Sequence, residues 1–574
     1  MKTRLRCWIL AGVVSILAVY SPCAEIGAAE PLYQNGVVAA DHPLASQAGL
    51  EMLKKGGNVV DAAVATSFAL SVVRPSSCGI GGGGFMVIWN AETKTATALD
   101  YREIAPKAAS PEMYVQAKKQ NPDHPEPSRD GALAIGVPGN VAGLCYALEK
   151  FGTLDLKTVL EPSLRYCREG IPIDPHMRSA QRSMLRRFER TPRFREEYQA
   201  LKKHYLNGGD PWPKDARFHS PLEPVYEKIA KEGKAGFYEG EVAKAMASAI
   251  QNAGGILTEE DLKGYAPKER KPLRGTYRGR QILTMPPPSS GGVALLQILN
   301  ILSAWEARQD ENPKHNQPDY VHLLTEAMKH AYADRATFLG DADFVDVPVE
   351  HLTSQAYAAE LAKRIDPKTT KPHRTYGRTM PSRDAGTSHF SVMDAKGNAV
   401  ACTETINTYF GSLFVEPKFG IVLNNEMDDF AAIPGEPNAF GLIQSKANAV
   451  EPGKKPLSSM TPTILLDDGK AVIAVGGSGG PRIISSTLQV LLNLVRFEMP
   501  PSEAVALPRI HHQWLPNVLI AEDPLYKEMQ TPMKERGHEV ERENGLAVVQ
   551  AILRTAEGLR AASDPRKHGS PAGH

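Results

Sequence analysis

Cysteine is sparse in this chain, at six among 574 residues, and beyond the N-terminal segment only Cys78, Cys145, Cys167 and Cys402 remain. No two of these are closely spaced, so neither a thiolate metal cluster nor a disulfide-stapled mini-domain fits. A chain of this length buries enough core to fold without staples, and four buried free thiols are expected. An excess of charge of one sign is also missing. Sixty-six basic residues face 65 acidic ones, for a net charge of +1, and no basic stripe marks a nucleic-acid partner. Membrane-length hydrophobic runs are lacking too. The apolar run Cys7–Tyr20 falls short of the ~20 residues that cross a bilayer. With Lys2, Arg4 and Arg6 before it and Ala24 and Gly27-Ala28-Ala29 after it, it reads as a cleaved signal peptide over residues 1–29. That predicts an exported protein, periplasmic or secreted, with no stable membrane anchor. There is no internal repeat, no calcium-loop spacing and no zinc-ligand spacing. The adjacent His511-His512 reads as a packed pair, and no metal or cofactor is implied.

What is present is an alternation of helical and strand patterns. Ser46 to Lys55 reads as a helix stopped by Gly56-Gly57, and a more apolar helix runs from about Asp61 to Val73. The Gly81–Gly84 run leads into a strand, F-M-V-I-W at 85–89, and a return strand, T-A-T-A-L-D at 95–100. Residues 116–130 are polar and proline-rich and read as a solvent loop. The strongly charged stretch 187–206 reads as an exposed helical arm, and M-P-P-P-S-S-G-G at 285–292 as a rigid turn before an apolar helix. From 364 to 386 the pattern weakens into an exposed, flexible segment. Strand signals resume with H-F-S-V-M and A-V-A-C-T-E-T-I, then P-T-I-L-L and A-V-I-A-V, with a helix from Pro481 to Arg496. The last dozen residues, polar and rich in Pro and Gly, read as frayed.

The chemistry concentrates after residue 386. G-T-S-H-F-S-V at 386–392 offers Thr387 as a hydroxyl nucleophile at a strand start. A threonine hydroxyl needs a base. Cutting the bond before Thr387 would free its own α-amino group, whose reference pKa of about 7.7–8.0 suits a general base. Gly386 carries no side chain to hinder attack on its carbonyl. T-E-T-I-N at 403–407 supplies further hydroxyl and amide groups, and N-N-E-M-D-D-F at 424–430 supplies Glu426, Asp428 and Asp429 at a strand end. Those carboxylates could hold an ammonium. P-L-S-S-M at 456–460 adds a hydroxyl pair. In G-G-S-G-G at 476–480, Gly479 and Gly480 precede a helix whose free N–H groups could face a developing oxyanion. Arg102, at the end of a strand, could take a carboxylate through two parallel hydrogen bonds. Each of these alone has an ordinary structural reading: a loop-to-strand junction, a tight turn, a solvated loop or an ion-paired arginine.

Together and in this order they resemble the γ-glutamyltranspeptidase family of N-terminal nucleophile hydrolases. The resemblance runs from about Gly36 to Trp514 and includes G-G-N-V-V-D-A-A-V-A at 56–65, D-Y-R-E-I-A-P at 100–106, G-V-P-G at 136–139 and P-R-I-H-H-Q-W at 508–514. It implies an α+β fold, a four-layer αββα sandwich made as one precursor. Cleavage at Gly386-Thr387 would give a large subunit, 30–386, and a small subunit, 387–574. By position, Thr387 matches the nucleophile and Thr405 the threonine that assists it. Gly479 and Gly480 match the oxyanion glycines. Arg102, Ser458 and Ser459 match the groups that hold the α-carboxylate of a γ-glutamyl moiety, and Asn407, Glu426 and Asp429 those that hold its α-amino group. The implied reaction is ping-pong transfer from glutathione or another γ-glutamyl amide to water, an amino acid or a peptide. P-G-E-P-N-A-F-G-L at 434–442 resembles the lid loop, with Phe440 where some bacterial relatives carry tyrosine. Two rivals remain: a glutaryl or cephalosporin acylase of the same fold, which has less use for Asp429, and an unprocessed secreted binding protein.

Overall fold

The computed structural model describes residues 30–124, 126–376, 386–432, 438 and 445–574. The predicted signal peptide, the lid loop apart from Asn438 (Phe440 included), and part of the segment before Gly386 lie outside the described residues.

Two seven-stranded sheets stack face to face. In the first, Ser388–Asp394 lies inside the sheet, antiparallel to the central strand Ala399–Thr405 on one side and to Gly36–Ala40 on the other. Ala399–Thr405 pairs in turn with Gly83–Asn90, and that strand with Thr95–Tyr101. The second sheet is centred on Lys470–Ser478, between Thr463–Asp467 and Val548–Arg554. Successive side chains of a strand point to opposite faces, and both sheets use that alternation fully. Val38, Ala40, Phe390, Val392 and Val400 join a core with the helices Pro43–Lys54, Val59–Val73 and Asn140–Phe151. Their neighbours Val37, Ala39, Met393, Ala399 and Ala401 face Ile464, Ala471, Ala474 and Ile552 of the second sheet. Leu465, Ile473 and Val475, on that sheet's other face, pack with Gly291–Glu306, Pro318–Phe338 and Arg482–Val495. Helices, sheet, sheet, helices: the expected αββα sandwich is what forms. The alanines between the sheets let them approach closely, and one contact requires glycine. A Cβ on Gly476 would lie 2.3 Å from Cε1 of His389.

The helices start earlier than their apolar pattern suggests, because their caps lie outside it. Asn58 closes a capping box with Asp61, and His42 accepts from the Leu44 N–H. Four expectations are corrected. The stretch 116–130 is not all loop, since Met113–Gln120 is helical with Tyr114 buried. The charged stretch 187–206 is no exposed arm. Phe188, Phe194, Tyr198, Leu201 and Tyr205 are buried among the core side chains, so spaced aromatics outweigh the charges between them. The segment after 364 is pinned up to Tyr376. There Thr370 and Tyr376 donate to Glu326, and the Thr370 N–H donates to the Arg536 carbonyl at 2.8 Å. The C-terminal residues are not frayed, because Ala572–Gly573 pairs with Val37–Val38 as an edge strand of the first sheet. The four cysteines are free, with Cys145 only partly buried. His511 and His512 are both buried, His511 between Ser485 and Gln513. Among the described residues no helix is long and apolar enough to cross a membrane.

Candidate active site

The antiparallel register pairs Ser388 with Glu404. One step further along each strand, Thr387 faces Thr405, and their hydroxyls stand 3.2 Å apart. The Thr405 hydroxyl donates to the Gly386 carbonyl at 2.8 Å and accepts from the Asn407 N–H at 2.7 Å. The Thr387 hydroxyl lies 2.6 Å from the same carbonyl oxygen. Gly386 is held by its own N–H, which donates to the Asn407 carbonyl at 2.8 Å. Asn407 has a left-handed φ of 74°, a conformation that costs a non-glycine residue about 1 kcal/mol or more. Its side-chain amide donates to the Asn425 carbonyl at 2.9 Å. The local chain is thus bent and pinned around one carbonyl.

His389 is not a base for this threonine. Its ring nitrogens contact the hydroxyls of Thr403 at 2.8 Å and Ser391 at 3.1 Å, and burial pushes its pKa down to about 3.

The sandwich brings the other predicted positions to the same pocket. Arg102, Thr387, Thr405, Asn407, Glu426, Asp429, Ser458, Ser459 and Gly480 all line it. Gly479 is the one predicted residue outside the lining. Gly479 and Gly480 have φ of 137° and 57°, the first disallowed and the second disfavoured for residues with a Cβ. They sit just before the helix Arg482–Val495, whose N-terminal end, with Pro481 and Ile483 in the lining, sets a partial positive charge beside the pocket.

Arg102 is buried and its guanidinium binds both Glu426 and Asp429, the latter at 2.5 Å. Burial opposes its charge, but Glu426, Asp429 and Glu103 hold its pKa above the usual value. Burial raises Glu426 well above the carboxylate range against the pull of Arg102, with Glu103 and Asp429 adding repulsion. Asp429 shifts the same way, again chiefly through burial. Asp428 turns away, accepting from Ser128 at 2.7 Å. The hydroxyl pair is positioned by the proline-rich turn. The Ser458 N–H donates to the Pro288 carbonyl, and the Ser290 N–H donates back to the Ser458 carbonyl at 2.8 Å. The M-P-P-P-S-S-G-G motif therefore braces P-L-S-S-M.

Three features of the structure escaped the sequence reading. Lys567, in the tail expected to fray, donates to the Thr387 carbonyl at 2.8 Å and pairs with Asp41 at 2.6 Å. Arg335 also lines the pocket. Its helix neighbours at i±3 and i±4, namely Ala331, Tyr332, Phe338 and Leu339, include no acid. That was an available sign of an arginine serving something off the helix. Away from the pocket, His322, Glu326 and His538 converge within 4.8 Å. Lys329 stands 3.2 Å from Glu326.

A sequence model of the gamma-glutamyltranspeptidase family matches residues 45–574. The glutathione hydrolase proenzyme of Escherichia coli (strain K12) is 41% identical over 537 residues, covering 93% of this chain and 90% of that protein. The glutathione hydrolase proenzyme of Pseudomonas aeruginosa is 39% identical over 561 residues, covering 96% and 97%. Among solved structures, a cephalosporin acylase from Bacillus halodurans superposes with a TM-score of 0.82 at 27% identity, covering 97% of this chain and 99% of that one. The gamma-glutamyltranspeptidase of Helicobacter pylori superposes with a TM-score of 0.53 at 40% identity, over 58% of this chain and 92% of that chain.

Proposed function

The chain belongs to the gamma-glutamyltranspeptidase family, and on that premise we propose that it hydrolyses and transfers γ-glutamyl groups through an acyl-enzyme on Thr387. The donor is glutathione or another γ-glutamyl amide, and the acceptor is water, an amino acid or a peptide. The observation that carries this reading is the convergence of Thr387, Arg102, Glu426, Asp429, Ser458 and Gly480, from five separate stretches of sequence, on one pocket.

The precursor first cleaves itself. The Thr387 hydroxyl attacks the Gly386 carbonyl carbon and its proton passes to the departing Thr387 nitrogen. Water then hydrolyses the resulting ester, leaving a Gly386 carboxylate and a free Thr387 amine. Thr405, already bonded to that carbonyl oxygen, polarises it. Residues 30–386 become the large subunit and 387–574 the small one. The freed amine, with a reference pKa of about 7.7–8.0, takes the proton when Thr387 attacks a substrate.

A γ-glutamyl head carries a carboxylate and an ammonium on one carbon. Arg102, Ser458 and Ser459 take the carboxylate, while Asn407, Glu426 and Asp429 take the ammonium. In the structure Arg102 and the two acids pair with each other, so a zwitterion can insert into an existing ion pair and leave neither partner uncompensated. The γ-carbonyl then faces Thr387, with the Gly479 and Gly480 amides receiving its oxyanion. An acylase acting on glutaryl groups lacks the ammonium, and for it two buried carboxylates would have no partner in the substrate. Residues 1–29 act as a signal peptide, making the enzyme an exported one.

The test is to purify leader-less protein, resolve it on a denaturing gel and sequence the N-terminus of any fragment. Two bands, the smaller beginning T-S-H-F-S, together with turnover of a γ-glutamyl anilide, are expected. A persistent single chain without turnover would overturn the reading.

A further inference from the structure

Two arginines line this pocket, and their surroundings are opposite. Arg102 has three carboxylates within 4.0 Å: Glu426, Asp429 and Glu103. Arg335 has none within ion-pairing distance among the described residues, although its side chain is only 1% exposed. Its Nε donates to Ser290 Oγ at 2.8 Å and its Nη2 to Ser459 Oγ at 3.2 Å. Its Nη1 is buried with no hydrogen-bond partner. Burial pushes its pKa down to about 10, with Tyr332 and Asp429 opposing that shift and Arg102 adding to it.

A guanidinium held in a low-dielectric site without a counter-ion is expensive, and removing it from water is compensated only when an anion arrives. We propose that Arg335 is a second cationic contact for the donor's α-carboxylate, acting together with Ser459. The inference rests on the γ-glutamyl reading above and adds a residue to it. The geometry selects the carboxylate end. Glu426 and Asp429 repel an anion and attract the ammonium, so the carboxylate falls on the side of Ser458 and Ser459, where Arg335 reaches. Nη1 then gains the acceptor it lacks, in the parallel geometry that arginine and carboxylate favour. Ser459 accepts from Arg335, which leaves its own proton free to donate to the same carboxylate. Arg102, already bound to two acids, need not supply the whole positive charge.

Three anilide donors separate the possibilities: γ-glutamyl, glutaryl (no amine) and 4-aminobutyryl (no carboxylate). Wild type, Arg335→Lys and Arg335→Met would be compared by kcat/KM, after checking each for processing on a gel. Expected is a roughly 10- to 100-fold loss in Arg335→Met on the two carboxylate donors, the size of a lost charge-assisted hydrogen bond. The 4-aminobutyryl donor should show no such loss, and Arg335→Lys should fall between. An equal loss on all three donors would overturn the proposal and make Arg335 a brace for the serine turn. Absence of γ-glutamyl turnover in the wild type would instead sink the parent reading. Should neither variant process, a crystal structure of wild type with L-glutamate decides: an Arg335 nitrogen within hydrogen-bond distance of the α-carboxylate supports the assignment, and one well beyond it refutes it.

Discussion

Thr387 and Thr405 face each other across two antiparallel strands with their hydroxyl oxygens 3.2 Å apart, and both contact the carbonyl oxygen of Gly386. A single backbone register produces this pairing. Shifting either strand by one residue would turn one hydroxyl to the other face of the sheet.

Removing the nucleophile should stop maturation. Thr387→Ala is expected to stay a single chain indefinitely, while Thr387→Ser, which keeps a hydroxyl, should process. A denaturing gel over a time course reads both, and Thr387→Ala protein that still splits at this bond would rule out the self-cleavage scheme.

Thr405→Ala removes the donor that polarises the Gly386 carbonyl. Loss of one such donor slows related chemistry by roughly 100-fold or more. Processing kinetics should therefore lengthen by about that factor, with the fold intact by circular dichroism.

Lys567 and Asp41 form a buried pair, with side chains 7% and 0% exposed. Lys567→Met leaves Asp41 uncompensated and should destabilise the protein by about 3–5 kcal/mol. The double variant Asp41→Asn/Lys567→Met should lose less than the sum of the single changes, since the two sites are in contact. Thermal melts of the four proteins test this, and strict additivity would contradict it.

Asp429→Asn should change donor preference. Its carboxylate is proposed to hold the ammonium, so kcat/KM on γ-glutamyl anilide is expected to drop roughly 10- to 100-fold. Glutaryl anilide, which has no ammonium, should lose less. Equal losses on both donors would assign Asp429 to holding Arg102 alone.

Stability should carry a pH signature from Glu404, which accepts from Ser67 at 2.6 Å and Tyr101 at 2.9 Å. Burial pushes its pKa up to about 7, the two hydroxyls pulling the other way, against about 4.3 in an unfolded chain. Between those values the folded protein holds the extra proton, so stability is greatest below the lower value and falls as pH rises toward about 7. Glu404→Gln should flatten that part of the slope relative to wild type in melts from pH 4 to pH 8. An unchanged slope would show that Glu404 ionises normally.

Local pattern alone determined a good deal. The strand pairs around Asp394–Ala399 and Asp467–Lys470, the buried helix ending at Val73 and the glycine turn before Arg482 all follow from alternation, caps and turn residues. Nine of the ten candidate residues fall in the pocket because they belong to contiguous motifs, each recognisable by itself. Other features depend on contacts between distant segments. The tail of Lys567 reads as disordered until Ala572–Gly573 finds a free edge beside Gly36–Ala40, a partnership 534 residues apart at Ala572 and Val38. Composition marks a segment as polar but does not reveal that a sheet edge waits for it. The charged stretch 187–206 buries its aromatics for the same reason. Arg335 sits in an ordinary helix, and only the packing of that helix against Gly291–Glu306 brings its guanidinium to Ser459. Whether a buried charge has a counter-ion is a property of the whole surrounding shell. That is why the sequence alone could mark Arg102, which sits in a recognisable motif, while the tertiary structure was needed to bring Arg335 to the same pocket.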